Sequence, residues 1–274
     1  MLVALALLLL AGPAASAEST PAELVLIREG TIPIVITAPH GGREAVPGIE
    51  PRTERAQVGE YRKWGGFQKG TDLNTDVLAQ SIATELAGLV GGEPYLVVAR
   101  FQRKYIDANR PPELGLDDRK ARPYYDDYHA AIRRFVDEVR RHHAGGVLLD
   151  VHGQAKDRDV LMRGTMNGRS VARLLGRDGV KAVTGPEGLF GQLEARGIKV
   201  FPGNDVPPRP HSEDAVFNGG YTTDLYGSHN RDGIDAVQLE FGTRYREKGA
   251  VEATAHAAAR ALAVFYETYL KDKR

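Results

Sequence analysis

The chain contains no cysteine, which excludes a disulfide scaffold, a thiol nucleophile, a thiolate zinc site and an iron–sulfur cluster. Any metal must be held by His, Asp and Glu. An excess of charge of either sign is also missing, because 36 Lys+Arg face 36 Asp+Glu. No global basic field therefore exists to hold nucleic acid or anionic lipid. Internal repeats, low-complexity tracts and Ser/Gly linkers are absent, so one continuous domain is expected. What is present, 42% hydrophobic and 26% charged residues in a chain of 274, is the composition of a globular protein that buries a real core.

Membrane-spanning runs are lacking too. The apolar stretch Leu2 to Leu10 has nine residues, against the roughly 20 that a crossing helix needs. It is followed by Gly12-Pro13 and then Ala15-Ser16-Ala17, a small-x-small pattern of the kind a signal peptidase cuts. Residues 1–17 are accordingly expected to be a removed export signal. Residues 18–274 are then the mature domain, periplasmic or secreted.

Short β-branched runs alternate with helical periodicity along the rest of the chain. Ile32 to Ala38, Tyr95 to Phe101, Gly146 to Val151, Ile198 to Phe201 and Ala236 to Phe241 read as buried strands. Between them, Leu73, Val77, Ile82, Leu86 and Leu89 recur at helical spacing, as do Ile132, Phe135 and Val139. Val171 to Leu175 reads as helical, and a closing helix is expected from about Val251 to Tyr269. The alternation predicts an α/β three-layer sandwich around a mixed, largely parallel sheet. In such sheets ligands bind beyond the carboxyl ends of the strands.

Three strand ends carry chemistry. The first core strand runs into Pro39-His40-Gly41-Gly42, the central one into Asp150-Val151-His152-Gly153-Gln154, and the last contains Gln238-Leu239-Glu240. A histidine just past an apolar strand, followed by a glycine that permits close approach, suits a metal ligand. A glutamate within a buried strand needs a reason to be there. A catalytic zinc takes three protein ligands and keeps one position open, so a carboxylate must join His40 and His152. Glu44 and Asp72 both qualify. Asp72 is favoured because it begins a helix, which fixes it in space, although a helix-capping Asp reads the same way. The other histidines read as structural: His142 and His143 end a helix, and His129, His211, His229 and His256 lack a ligand-like neighbour. Arg103-Lys104-Tyr105-Ile106-Asp107-Ala108-Asn109-Arg110-Pro111 follows the second strand, and its two arginines and asparagine suit a binder of carboxylate and carbonyl oxygens. Tyr124, Tyr125, Tyr128, Gln154 and Arg163 can line a pocket or simply pack.

In this order, Pro-His-Gly-Gly at 39–42, Thr-Asp-x-x-Thr-Asp at 71–76, Arg-x-x-x-Asp-x-Asn-Arg-Pro at 103–111, Tyr-x-x-Tyr-His at 125–129, Leu-Asp-x-His-Gly at 149–153 and Gln-x-Glu at 238–240 resemble the N-formylglutamate amidohydrolase family. The resemblance runs from about Ile34 to Tyr269. It implies a fold similar to that of zinc carboxypeptidases and the aspartoacylase group. It also implies one zinc ion per chain on His40, Asp72 and His152, with Glu240 as the catalytic carboxylate. Arg103 matches the arginine that polarises the scissile carbonyl, and Asn109 with Arg110 match the pair that holds the substrate's α-carboxylate. One departure stands out: the carboxypeptidase relatives place Glu three residues after the first His, where this chain has Arg43. The expected activity is hydrolysis of the amide bond in a small carboxylated N-acyl amino acid or short peptide. The alternatives are a carboxypeptidase-like peptidase acting on short or cell-wall peptides and a non-catalytic carboxylate-binding protein. Nickel or cobalt suits the same ligands.

Overall fold

The computed structural model describes residues 24–54, 63–64 and 66–271. The expected export signal at 1–17 lies outside them. Seven strands form one sheet: β1 Val25–Arg28, β2 Ile34–Ala38, β3 Tyr95–Ala99, β4 Val147–Gln154, β5 Leu161–Gly164, β6 Val200–Phe201 and β7 Asp235–Gly242, in the order β1-β3-β2-β4-β7-β5-β6. The central strands β3, β2, β4 and β7 are parallel, whereas β1 pairs antiparallel with β3 and β5 antiparallel with β7. This is the mixed, mostly parallel α/β sheet that the alternation of runs predicts. The short strands β1 and β5 escape that reading, because four residues offer too little periodicity.

Helices cover both faces. Helices α1 (Thr75–Val90) and α7 (Val251–Phe265) pack on one face through Leu78, Ile82, Leu86, Ala255, Ala259 and Leu262. Helix α2 (Arg122–His142) packs on the other through Tyr125, Ile132 and Phe135. Shorter helices follow: α3 Ala172–Asp178, α4 Leu189–Glu194, α5 Tyr221–Tyr226 and α6 Thr243–Arg246. None of the described helices is long and apolar enough to cross a membrane. The expected stripe on α1 is only partly right. Leu73, Val77 and Leu89 are exposed, and Leu78, Ala79 and Ala83 are buried beside Ile82 and Leu86. The helix uses its small residues to lie close to α7.

Side-chain alternation along the strands then creates the site. Positions facing α1 and α7 are apolar after Asp235 at the start of β7: Val147, Leu149 and Val151 on β4, and Val237, Leu239 and Phe241 on β7. Positions facing α2 begin apolar and turn polar toward the carboxyl end. Leu148 gives way to Asp150 and His152, Ala236 to Gln238 and Glu240, and Val35 to Thr37. In register, Thr37 lies beside Asp150, Asp150 beside Gln238, and His152 beside Glu240.

Candidate active site

His40 follows β2, and two close approaches hold it in place. A Cβ on Gly41 would collide with the start of α1, and one on Gly42 with the Arg100–Phe101 backbone. The Asp72 N–H donates to the His40 carbonyl at 3.0 Å, and the Thr75 N–H and hydroxyl donate to the Asp72 carbonyl. The helix cap is Asn74, in the left-handed region at φ 66°, so Asp72 does not cap the helix. Its carboxylate turns inward, with Oδ2 lying 3.3 Å from His152 Nδ1, 3.5 Å from His40 Nδ1 and 3.1 Å from the donating Gly153 N–H. Glu44 is exposed and pairs through its backbone with Arg100 and Gln102. His40, Asp72 and His152 are thus the group that could hold a metal among the described residues.

The donor set fits such an ion. A tetrahedral zinc with ligand bonds of about 2.0–2.1 Å puts its ligand atoms roughly 3.4 Å apart, close to the two separations at Asp72 Oδ2. His40 Nδ1 is buried without a hydrogen-bond partner. The opposite ring nitrogens are occupied: His40 Nε2 lies 2.7 Å from Asp107 Oδ1, and His152 Nε2 lies 2.8 Å from Asp150 Oδ2. A carboxylate accepting from the far N–H fixes tautomer and ring orientation and raises the basicity of the facing nitrogen. Asp150 is itself held by the Thr37 hydroxyl at 2.6 Å. Asp107 is held by Arg103 Nε at 2.9 Å and the Asn109 N–H at 3.1 Å.

The electrostatics follow from burial and these pairs. Burial alone raises the Asp72 carboxyl, but the close approach of the His152 and His40 rings and the charge of Arg103 outweigh it, leaving it well below the usual carboxylate range. Burial likewise opposes ionisation of Asp107, and Arg103, Arg110 and His40 override it. Burial pulls the His152 imidazole down, yet Asp150 and Asp72 lift it well above its ordinary value. Burial pushes Glu240 up to about 7, opposed by His152 and reinforced by Asp72. Glu240 Oε1 accepts from Gln238 Nε2 at 2.9 Å.

All seven expected site residues line one cavity of about 320 Å³. Arg103 reaches it with Nη1 3.9 Å from Asp72 Oδ1. Arg110 is steadied by the Asn109 and Gly66 carbonyls, and the Tyr125 hydroxyl donates to the Arg110 carbonyl. Asn109 Oδ1 accepts from the Thr222 N–H and hydroxyl, which turns Nδ2 toward His152 and Gln238. Of the residues that could line a pocket or pack, Gln154 borders the cavity with its amide bonded to the Asp157 and Val160 carbonyls. Arg163 is buried against Glu213, 3.2 Å away. Sequence reasoning passed over Asp107 and Asp150. Asp150 shares strand parity with His152, and Asp107 stands four residues after Arg103, so both carried a readable signal. Arg246, which also borders the cavity, carried none that separates it from Arg244.

Comparison with known proteins assigns the class: the protein is an amidohydrolase, an enzyme that hydrolyses amide bonds. More particularly, residues 116–245 match the family model of N-formylglutamate amidohydrolase. That segment contains His152 and Glu240, while His40, Asp72, Arg103, Asn109 and Arg110 precede it. The fold is shared with an N-formylglutamate amidohydrolase from Ralstonia eutropha JMP134, at TM-score 0.60 and 16% identity over 89% of this chain and 97% of that one. It is also shared with a gene product from Agrobacterium tumefaciens, at TM-score 0.50 and 16% identity over 88% and 93%. No curated protein matches the chain.

Proposed function

We propose that this amidohydrolase is zinc-dependent and cleaves the amide bond of N-formyl or N-acyl amino acids, releasing the acid and the amino acid. The observation that carries the reading is the convergence of two histidine Nδ1 atoms on one Asp72 oxygen, each ring backed by a carboxylate, beside a buried Glu240. Zinc on His40, Asp72 and His152 supplies, when bound, a water whose pKa is lowered to about 7. Glu240 is the general base. With Oε1 engaged by Gln238, its Oε2 takes the proton of the attacking water and passes it to the leaving nitrogen, a role typically worth about 10²- to 10⁴-fold in rate. Arg103, fixed by Asp107, faces the negative charge that develops on the carbonyl oxygen. Arg110 and Asn109 hold the substrate's carboxylate so that the scissile bond lies against the histidine cluster.

Glu240→Gln is expected to bind zinc like the wild type and to lose at least about 100-fold in kcat on N-formyl-L-glutamate. Metal analysis and steady-state kinetics check both halves, and near wild-type turnover would remove Glu240 from the mechanism. A second reading, a peptidase for short or cell-wall peptides, is favoured by the cavity rim. Trp64, Val216 and Phe217 border it, and Val216 is 54% exposed, an apolar surface that a formyl group does not use. Comparing N-formyl, longer N-acyl and dipeptide substrates separates the two. Ligand binding without turnover of any of them would point to a non-catalytic carboxylate-binding protein. The export reading of residues 1–17 is tested by N-terminal sequencing of protein recovered from the producing cells, which is expected to begin at Glu18.

A further inference from the structure

We infer that Arg246 is a positioning residue that fixes the mutual spacing of the three segments carrying Asp72, His152 and Glu240, an inference that rests on the hydrolase reading of the site. Arg246 ends α6, just past β7. Its Nε donates to the Phe241 carbonyl at 3.1 Å, Nη1 to the Leu73 carbonyl at 3.0 Å and Nη2 to the Gln154 carbonyl at 3.1 Å. Leu73 and Phe241 are the residues directly after Asp72 and Glu240, and Gln154 stands two after His152. One planar group thus touches the backbone beside each of them.

The chemistry of the contact argues against incidental packing. Arg246 is buried, and its three side-chain hydrogen bonds all go to main-chain carbonyls. Three carbonyl acceptors set around one guanidinium that also borders the cavity are an arrangement that a rigid planar fork can satisfy and a lysine ammonium cannot. Two of those acceptors belong to sheet strands that hydrogen bonds already hold. The third, Leu73, sits in the link before α1, next to left-handed Asn74. That link receives a reciprocal bond, because Asn74 Nδ2 donates to the Arg246 carbonyl at 2.7 Å while its Oδ1 accepts from Arg43. Arg43, the residue that departs from the carboxypeptidase pattern, thereby joins the same brace. Gly153 completes it: a Cβ there would collide with the Arg246 guanidinium, so the glycine after His152 is the space through which Arg246 reaches Leu73 and Gln154.

The test uses the full zinc-loaded protein, with Zn²⁺ and N-formyl-L-glutamate as probes. Arg246→Ala is expected to weaken zinc binding 10- to 100-fold in chelator competition, the range seen when a group that orients metal ligands is lost. It should also lower kcat at least tenfold while KM stays within about threefold. Added guanidinium should recover part of both losses, which a general structural defect would not show. Gly153→Ala keeps the arginine but displaces it and is expected to reproduce the phenotype, so the idea stays testable if Arg246→Ala does not fold. Arg244→Ala, at an exposed neighbour, should change nothing. Wild-type zinc affinity in both Arg246→Ala and Gly153→Ala would overturn the role of Arg246 alone. A wild-type protein that binds no zinc would overturn the reading of the site and this inference with it.

Discussion

Two aspartates that bind no substrate decide how the two histidines present themselves. Asp150, wholly buried between the Thr37 hydroxyl and His152 Nε2, keeps Nδ1 aimed at Asp72. Asp150→Asn has nearly the same shape, but a neutral amide neither strengthens the imidazole as a donor nor compels one tautomer. Zinc affinity is expected to fall 10- to 100-fold in chelator competition with the fold intact by circular dichroism, and unchanged affinity would show that His152 needs no such support. The histidines themselves were legible because each closes an apolar run, His40 just past β2 and His152 near the end of β4, and precedes glycine. Asp72 was legible only as one of two carboxylates, since the turn that carries Glu44 outward to pair with Arg100 and Gln102 is set by backbone contacts between distant segments. Arg246 was illegible for the same reason: its partners at 73, 154 and 241 share nothing along the chain.

At the scale of elements, helix α2 and the loop 102–110 are joined by His129, which closes the Tyr-x-x-Tyr-His motif but read as structural. Its Nε2–H donates to the Ala108 carbonyl at 2.9 Å, and Nδ1 faces the Tyr226 hydroxyl at 3.0 Å. This is the neutral imidazole, packed against Tyr125 and Tyr221. Burial pulls its pKa from 6.5 down to about 4, against the opposing pull of the Ala108 carbonyl. Because the folded state binds the proton less readily than the unfolded one, the contribution to stability is complete above pH 6.5. It is lost as the pH falls toward 4, and its size is of the order of 3 kcal/mol. His129→Gln retains an N–H for Ala108 but has no proton to gain. Denaturant titrations from pH 7 to 4 should therefore give a shallower decline for the variant than for the wild type, and parallel curves would exclude His129 as the source. A second link of this kind, Glu213 accepting from Arg163, Thr165 and the Asn167 N–H, ties the loop before α5 to β5. Neither link shows its partner along the chain, which is why strands and long helices were readable while the loops that shape the cavity were not.

The molecule as a whole places its apolar investment and its chemistry on opposite ends of the same strands. The α/β sandwich could be read from the sequence because its central strands are buried on both faces and appear as continuous β-branched runs. The site could be read in outline because parity along β4 and β7 puts Asp150, His152, Gln238 and Glu240 on one face. If the proposed zinc occupies this cluster, folding and metal binding are coupled. Asp72 Oδ2 and the two Nδ1 atoms are gathered only when the link before α1, β2 and β4 are in register, so the unfolded chain offers no comparable site. Zinc at about 100 times its Kd should then stabilise the native state by about 2.7 kcal/mol. For a domain of this size that corresponds to a rise in Tm of roughly 5–10 °C. Scanning calorimetry of metal-free protein with and without added zinc measures it. Asp72→Ala, which removes the oxygen shared by both histidines, should abolish most of the rise. A zinc-dependent increase that survives in Asp72→Ala would move the ion's site away from this cluster, and with it the chemistry assigned to Glu240.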